Sequence, residues 1–171
     1  MNATTASVIR QASLADAEAL FVLHNDAVAQ GCRAAYSPAQ LQVWFEGRSP
    51  RMYQAAIEAG RVWLAEADGE LLGFVGFAAG EVTLLFVKPA ACGCGVGTML
   101  FEWGLAQAGI NFVGPMTVVA TLNSQRFYEG HGFLPVEHCD VMRGQPPLAI
   151  AVVRMQRCVG VPQPHAQSVE V

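Results

Sequence analysis

Charge is scarce in this chain: only 14% of its 171 residues are Asp, Glu, Lys or Arg. They leave a formal charge of −4 and never gather into a lysine/arginine block. With no basic stripe, zinc-finger spacing or aromatic RNA-binding motif, nucleic acid is not expected as a partner. No uninterrupted apolar run reaches the ~18 residues of a membrane-spanning helix, so no membrane span is expected. The opening MNATTASVIRQ lacks the basic start and apolar centre of a secretory signal. Five cysteines (Cys32, Cys92, Cys94, Cys139 and Cys158) are odd in number and without framework spacing. They read as reduced thiols in a cytoplasmic protein. What is plentiful is apolar: 53% of the chain, which excludes a largely disordered one. The length suits one domain with a sizeable core, expected over residues 1–158, with 159–171 as a flexible tail.

One stretch organises the rest, EVTLLFVKPAACGCGVGTMLFEWGLAQAG from Glu81 to Gly109. Val82, Leu84, Leu85, Phe86 and Val87 form a short apolar run stopped by Lys88-Pro89, a buried strand. Gly93, Gly95 and Gly97 follow at alternate positions, where the backbone turns tightly and admits a ligand closely. Val96, Met99, Leu100, Trp103 and Ala106 then recur at helical spacing, and Gly109 supplies a stop. A glycine turn that opens onto a helix N-terminus offers unpaired N–H groups and the positive end of the helix dipole. Such a turn seats phosphate.

Two common phosphate loops do not fit. Gly97-Thr98 has no lysine before the threonine, which removes a Walker loop. A dinucleotide fingerprint from Gly93 and Gly95 would need glycine where Thr98 stands. The run from Cys92 to Gly97 resembles motif A of the GNAT superfamily of acyl-CoA-dependent N-acetyltransferases, Arg/Gln-x-x-Gly-x-Gly/Ala. Cys92 departs from that pattern by replacing the Arg/Gln. Downstream, TLNSQRFYEGHGFLPVEH matches the family's other signature through Asn123, Phe127, Tyr128, Gly132 and Phe133. Two motifs in the right order are far more specific than either alone.

The resemblance spans about Val62 to Val153 and implies a cofactor, a site and a reaction. Acetyl-CoA is the implied co-substrate. Its binding residues are Phe86, Val87, Cys92, Gly93, Cys94, Gly95, Val96, Gly97, Thr98, Asn123, Phe127 and Tyr128. The acceptor is implied to be an amine, on a small molecule, a peptide or a protein, attacking directly in a ternary complex. Tyr128 is the implied proton donor to the leaving thiolate. Glu81, opening a buried strand six positions before Val87, is the candidate base, with Glu46 and Asp26 as weaker rivals. Asn123 is implied to bond the pantetheine amides, although an N-cap for the helix after it is an alternative. No metal is expected, because Cys92-x-Cys94 lacks the further ligands of a closed site. A homodimer through the last strands is common in the superfamily. Two other readings remain: a non-catalytic acyl-CoA-binding module on the same fold, and a thiol redox sensor at Cys92/Cys94.

The remaining elements follow local signals. Val8-Ile9-Arg10 suggests a first strand, and Ser13 with Asp16 opens a helix to about Ala29. Ser37-Pro38 opens a second helix and Ser49-Pro50 a third, short one. Tyr36, Trp44, Phe45 and Tyr53 lie in the segment that would wall an acceptor pocket, or pack a core. Asp68-Gly69 joins two apolar runs in a tight hairpin. Short strands are expected at Met116–Ala120, Phe133–Met142 and Leu148–Met155, with a helical turn or two at Asn123–His131. Hairpins dominate, so the expected fold is α/β with a mixed, mostly antiparallel central sheet flanked by helices. The resemblance adds that the strands ending at Val87 and near Ala120 splay apart to admit CoA.

Overall fold

The computed structural model describes residues 7–158, so the expected tail at 159–171 lies outside the described residues. Strands β1 (Val8–Gln11), β2 (Val62–Ala67), β3 (Glu70–Ala78), β4 (Glu81–Val87), β5 (Met116–Thr121), β6 (Leu134–Arg143) and β7 (Leu148–Arg157) form one sheet. Their order is β1-β2-β3-β4-β5-β7-β6. Every neighbouring pair is antiparallel except β4 and β5. Helices α1 (Ala17–Gly31), α2 (Pro38–Val43), α3 (Gln54–Glu58), α4 (Val96–Ala108) and α5 (Gln125–Gly130) complete the described fold. None of the described helices is long and apolar enough to cross a membrane.

Local chemistry accounts for the boundaries. The backbone N–H of Ser13 donates to Asp16 Oδ2 at 2.7 Å, closing the turn before α1. At α2 the capping box is reciprocal: Gln40 N–H donates to Ser37 Oγ at 3.2 Å and Ser37 N–H to Gln40 Oε1 at 2.9 Å. Asp68 and Gly69 both adopt positive φ, 53° and 76°, as a two-residue hairpin turn requires. Several expected boundaries shift by a residue or two. Helix α1 runs two residues past Ala29. The segment after Ser49-Pro50 begins as a 3-10 turn, Pro50–Tyr53, before α3. Strand β7 continues to Arg157, paired with Met116 of β5.

The sheet is packed on both faces. Val75, Leu100, Phe101, Met116 and Val153 join one core under α4, while Leu20, Leu23, Tyr53, Leu64 and Phe74 join another under α1 and α3. This explains why β4 reads as an unbroken apolar run rather than an alternating one.

The centre of the sheet opens because of one extra residue. On β3, Phe77 faces Val82 and the preceding residue, Gly76, faces Leu84, so Thr83 is a bulge in β4. Val82 consequently packs into the α4 core while Leu84 packs into the α1 core, although residues two apart normally share a face. Strands β4 and β5 pair only at Glu81 with Thr117 and Val82 with Val118. From Thr83 onward they diverge. Lys88 N–H bonds Leu72 O of β3 at 2.7 Å. The alternation of a strand therefore turns the backbone N–H and C=O of Leu85 and Val87 toward the gap.

Candidate active site

Beyond Val87, Lys88-Pro89 ends the strand and a 3-10 turn, Pro89–Ala91, leads to the glycines. Gly93 and Gly95 have φ of +81° and +84°, a conformation that disfavours any residue with a Cβ. Gly97 serves differently, through space. A Cβ there would lie 3.6 Å from Val87 Cγ2 and 3.8 Å from Phe127 Cε2, across the mouth of the gap. Within α4 the first helical bond is Met99 N–H to Gly95 O at 3.0 Å. The N–H groups of Val96, Gly97 and Thr98 therefore lack helical partners at the positive end of a 13-residue helix.

These elements frame a groove of about 530 Å³. Val87, Cys92, Gly93, Gly95, Gly97 and Thr98 line one side; Asn123, Phe127 and Tyr128 line the other. The side chains of the other three residues expected at the cofactor point elsewhere, although the Val96 backbone N–H stays at the start of α4. The Val96 side chain is buried in the α4 core, and Cys94 is exposed beyond the groove. Phe86 points to the opposite face, where its ring lies 3.6 Å from that of His24. Lys88 is ion-paired with Glu70, and Arg126 is exposed on α5.

A second cavity, about 350 Å³, adjoins the groove on the α1 side. Leu85, Val87, Cys92, Asn123, Ser124 and Tyr128 line both, so the two meet at these residues. Tyr128 is buried, with rings of Phe101 and Phe127 at 5.3 and 5.2 Å. Burial pushes its phenol up to about 12, so it stays protonated at neutral pH. Asn123 is not the N-cap of α5. That position belongs to Ser124, whose hydroxyl lies 2.8 Å from Thr121 Oγ1. The Asn123 amide lies at the junction beside the Cys32 thiol, with Nδ2 4.0 Å from where a Cβ on Gly31 would stand.

The acids expected as bases lie outside both cavities. Glu81 sits at the closed end of the sheet, opposite Thr117, in a separate depression with Arg154 and Gln156. The bulge that opens the sheet comes after Glu81, so the opening runs away from it. Glu46 lies in a depression with Val43 and Pro146, and Asp26 in one with Glu18 and Lys88.

Of the four aromatic residues expected to wall an acceptor pocket, only Trp44 lines the cavity. Tyr36 instead ties two segments together: its hydroxyl donates to Ala151 O of β7 at 2.7 Å and accepts from Leu122 N–H at 2.9 Å. Tyr53 Oη lies 2.8 Å from His24 Nδ1, and Phe45 packs edge-on to the His24 ring at 4.7 Å. Desolvation, and then the charge of Arg48, hold the His24 imidazole down to about 3, so it is neutral at physiological pH. Arg48 and Arg143 also line this cavity. No sequence motif marks either one. The alternation of β6, which puts Val141 and Arg143 on one face, is the only local signal for Arg143.

A family model for the acetyltransferase (GNAT) domain matches residues 32–148. The chain belongs to the GNAT acetyltransferase family. This GNAT chain is 26% identical over 129 residues to the uncharacterized N-acetyltransferase YafP of Escherichia coli (strain K12), covering 75% of the chain and 82% of YafP. Among solved structures, a GCN5-related N-acetyltransferase from Rhodopseudomonas palustris superposes with a TM-score of 0.78 at 20% identity, over 93% of this chain and 100% of that one. The PaiA N-acetyltransferase of Thermoplasma acidophilum, in complex with coenzyme A, gives 0.71 at 18% identity, over 90% and 99%. At these identities the structural likeness shows a shared fold, the mixed and mostly antiparallel sheet flanked by helices.

Proposed function

We propose that this GNAT protein moves the acetyl group of acetyl-CoA to an amine by direct attack in a ternary complex. One observation carries the reading: the glycine-lined groove and the second cavity meet at Tyr128, Asn123 and Val87. A thioester laid along the groove reaches an amine held in the cavity only at that junction. The N–H groups at the start of α4 hold the diphosphate, with Gly97 keeping the approach clear. Asn123 bonds the pantetheine amides, and the backbone of Leu85 and Val87 pairs with the arm as an added strand. The Val87 N–H, turned into the gap, stabilises the carbonyl oxygen as charge develops.

In the reaction the amine nitrogen bonds to the carbonyl carbon, the C–S bond breaks, and its electron pair goes to sulfur. Tyr128 donates its hydroxyl proton toward that sulfur. The amine's proton leaves to water in the cavity, since no carboxylate among the described residues lines it. This reading gives Glu81 no part in proton transfer.

The test is thiol-detected CoA release across a panel of amines, with calorimetry of acetyl-CoA binding. Heat of binding without turnover for any amine favours the non-catalytic module, which Cys92 in place of Arg/Gln also suggests. A redox role for Cys92 and Cys94 requires that Cys92→Ser/Cys94→Ser abolish a redox-dependent change in CoA binding.

A further inference from the structure

The charged residues lining the acceptor cavity are all basic. Arg48, in the loop after α2, and Arg143, at the end of β6, reach it from two separate elements. Both are half-buried, and neither forms an ion pair among the described residues. The chain has only 10 lysines and arginines, so placing two at one small cavity without a counter-charge is a notable allocation. Burial and the adjacent Arg48 charge both press the Arg143 guanidinium below its usual range, which indicates that the two cations feel each other. Arg143 uses Nη1 on Met142 O, at 3.0 Å, which leaves further donors of its fork unused. Glu46, two residues before Arg48, lies in its own depression against Val43 and Gly144. Two half-desolvated like charges repel unless an anion joins them.

The CoA phosphates do not supply that anion. Their seat at the start of α4 lies in the groove, and neither arginine lines the groove. We propose that the acceptor is a small amine that also bears a carboxylate or phosphonate-type group, gripped by Arg48 and Arg143 in this cavity. The guanidinium fork pairs with either anion in two parallel hydrogen bonds. Trp44, Val141 and Ile150 give the same cavity an apolar wall, and about 350 Å³ suits a small molecule. The inference names the acceptor class for the reaction proposed above and rests on that reading.

The experiment compares matched acceptors: amino acids, their carboxamides, the decarboxylated amines and aminophosphonates, all with acetyl-CoA. Acids are expected to give a kcat/KM at least about tenfold above their neutral twins, with KM rising in salt. The carboxylate and phosphonate arms identify which anion is preferred. Arg143→Gln and Arg48→Gln should raise KM for the acid at least about tenfold, leave acetyl-CoA affinity unchanged, and bring the acid and amide together. Arg143→Lys should restore part of the difference. Equal turnover of acid and neutral amine overturns the anionic acceptor while leaving the acetyltransferase standing. If no amine turns over, calorimetry with N-acetylated acids and amides, in the presence of CoA, decides instead. Preferential binding of the acid, lost in Arg143→Gln, supports the proposal, and equal or absent binding of both overturns it.

Discussion

Gly97 faces Val87 across the mouth of the groove, with room for one carbon and little more: a Cβ would stand 3.6 Å from Val87 Cγ2. Gly97→Ala should therefore fold with unchanged thermal stability. Gly97→Val should fold as well, since the position is in the first turn of α4, yet lose at least about a hundredfold in acetyl-CoA affinity. Calorimetry on both variants checks this, and tight binding by Gly97→Val would contradict the diphosphate seat.

Removing the Tyr128 hydroxyl separates leaving-group assistance from binding. Tyr128→Phe is expected to lower kcat by about ten- to a hundredfold with acetyl-CoA affinity unchanged, since the ring keeps its packing on Phe101 and Phe127. Because burial holds the phenol protonated up to about 12, kcat should show no alkaline fall between pH 7 and about 10. A kcat unaffected by the substitution would assign the proton to water.

Glu81 offers the opposite control. It faces Thr117 at the closed end of the sheet, so Glu81→Gln should keep kcat within about twofold of the parent. A collapse of the acidic limb of the pH–rate profile in that variant would return the base to Glu81.

His24 links the site to acid stability. Its imidazole falls from 6.5 to about 3 on folding, so the unfolded chain binds more protons than the native one between those values. Stability is therefore complete above about pH 6.5 and declines as pH falls toward 3, by at most about 1.4 kcal/mol per pH unit. Asp16, whose carboxyl Arg10 holds well below its ordinary 3.8, adds its own loss once pH falls below about 3.8, where the unfolded chain takes up the proton first. Denaturant midpoints measured from pH 7 to 4.5 should fall for the parent and less steeply for His24→Gln.

Much of this was legible in the sequence because it depended on local chemistry. The capping signals at Ser13 and Ser37, the Asp68-Gly69 turn and the glycine alternation from Gly93 to Gly97 each act within a few residues, and each predicted its element. What escaped was set by pairing across the sheet. Glu81 stood at a suggestive distance along the chain from Val87, but the divergence starts after Val82, and only the register with β5 reveals which end is open. Arg48 and Arg143 come from segments 95 positions apart, and no pattern within either announces the other. Cys92 shows the limit of motif matching: its side chain departs from the family pattern, although the N–H groups that follow it are all present.

The surplus residue at Thr83 also changes where the information for the slit resides. A strand with one fewer residue would keep its pleat in step and could zip against β5 to its end, whatever side chains it carried. The aperture is thus a matter of counting rather than of composition, built into the chain before any substrate arrives. Its binding energy need not be spent on prying two strands apart.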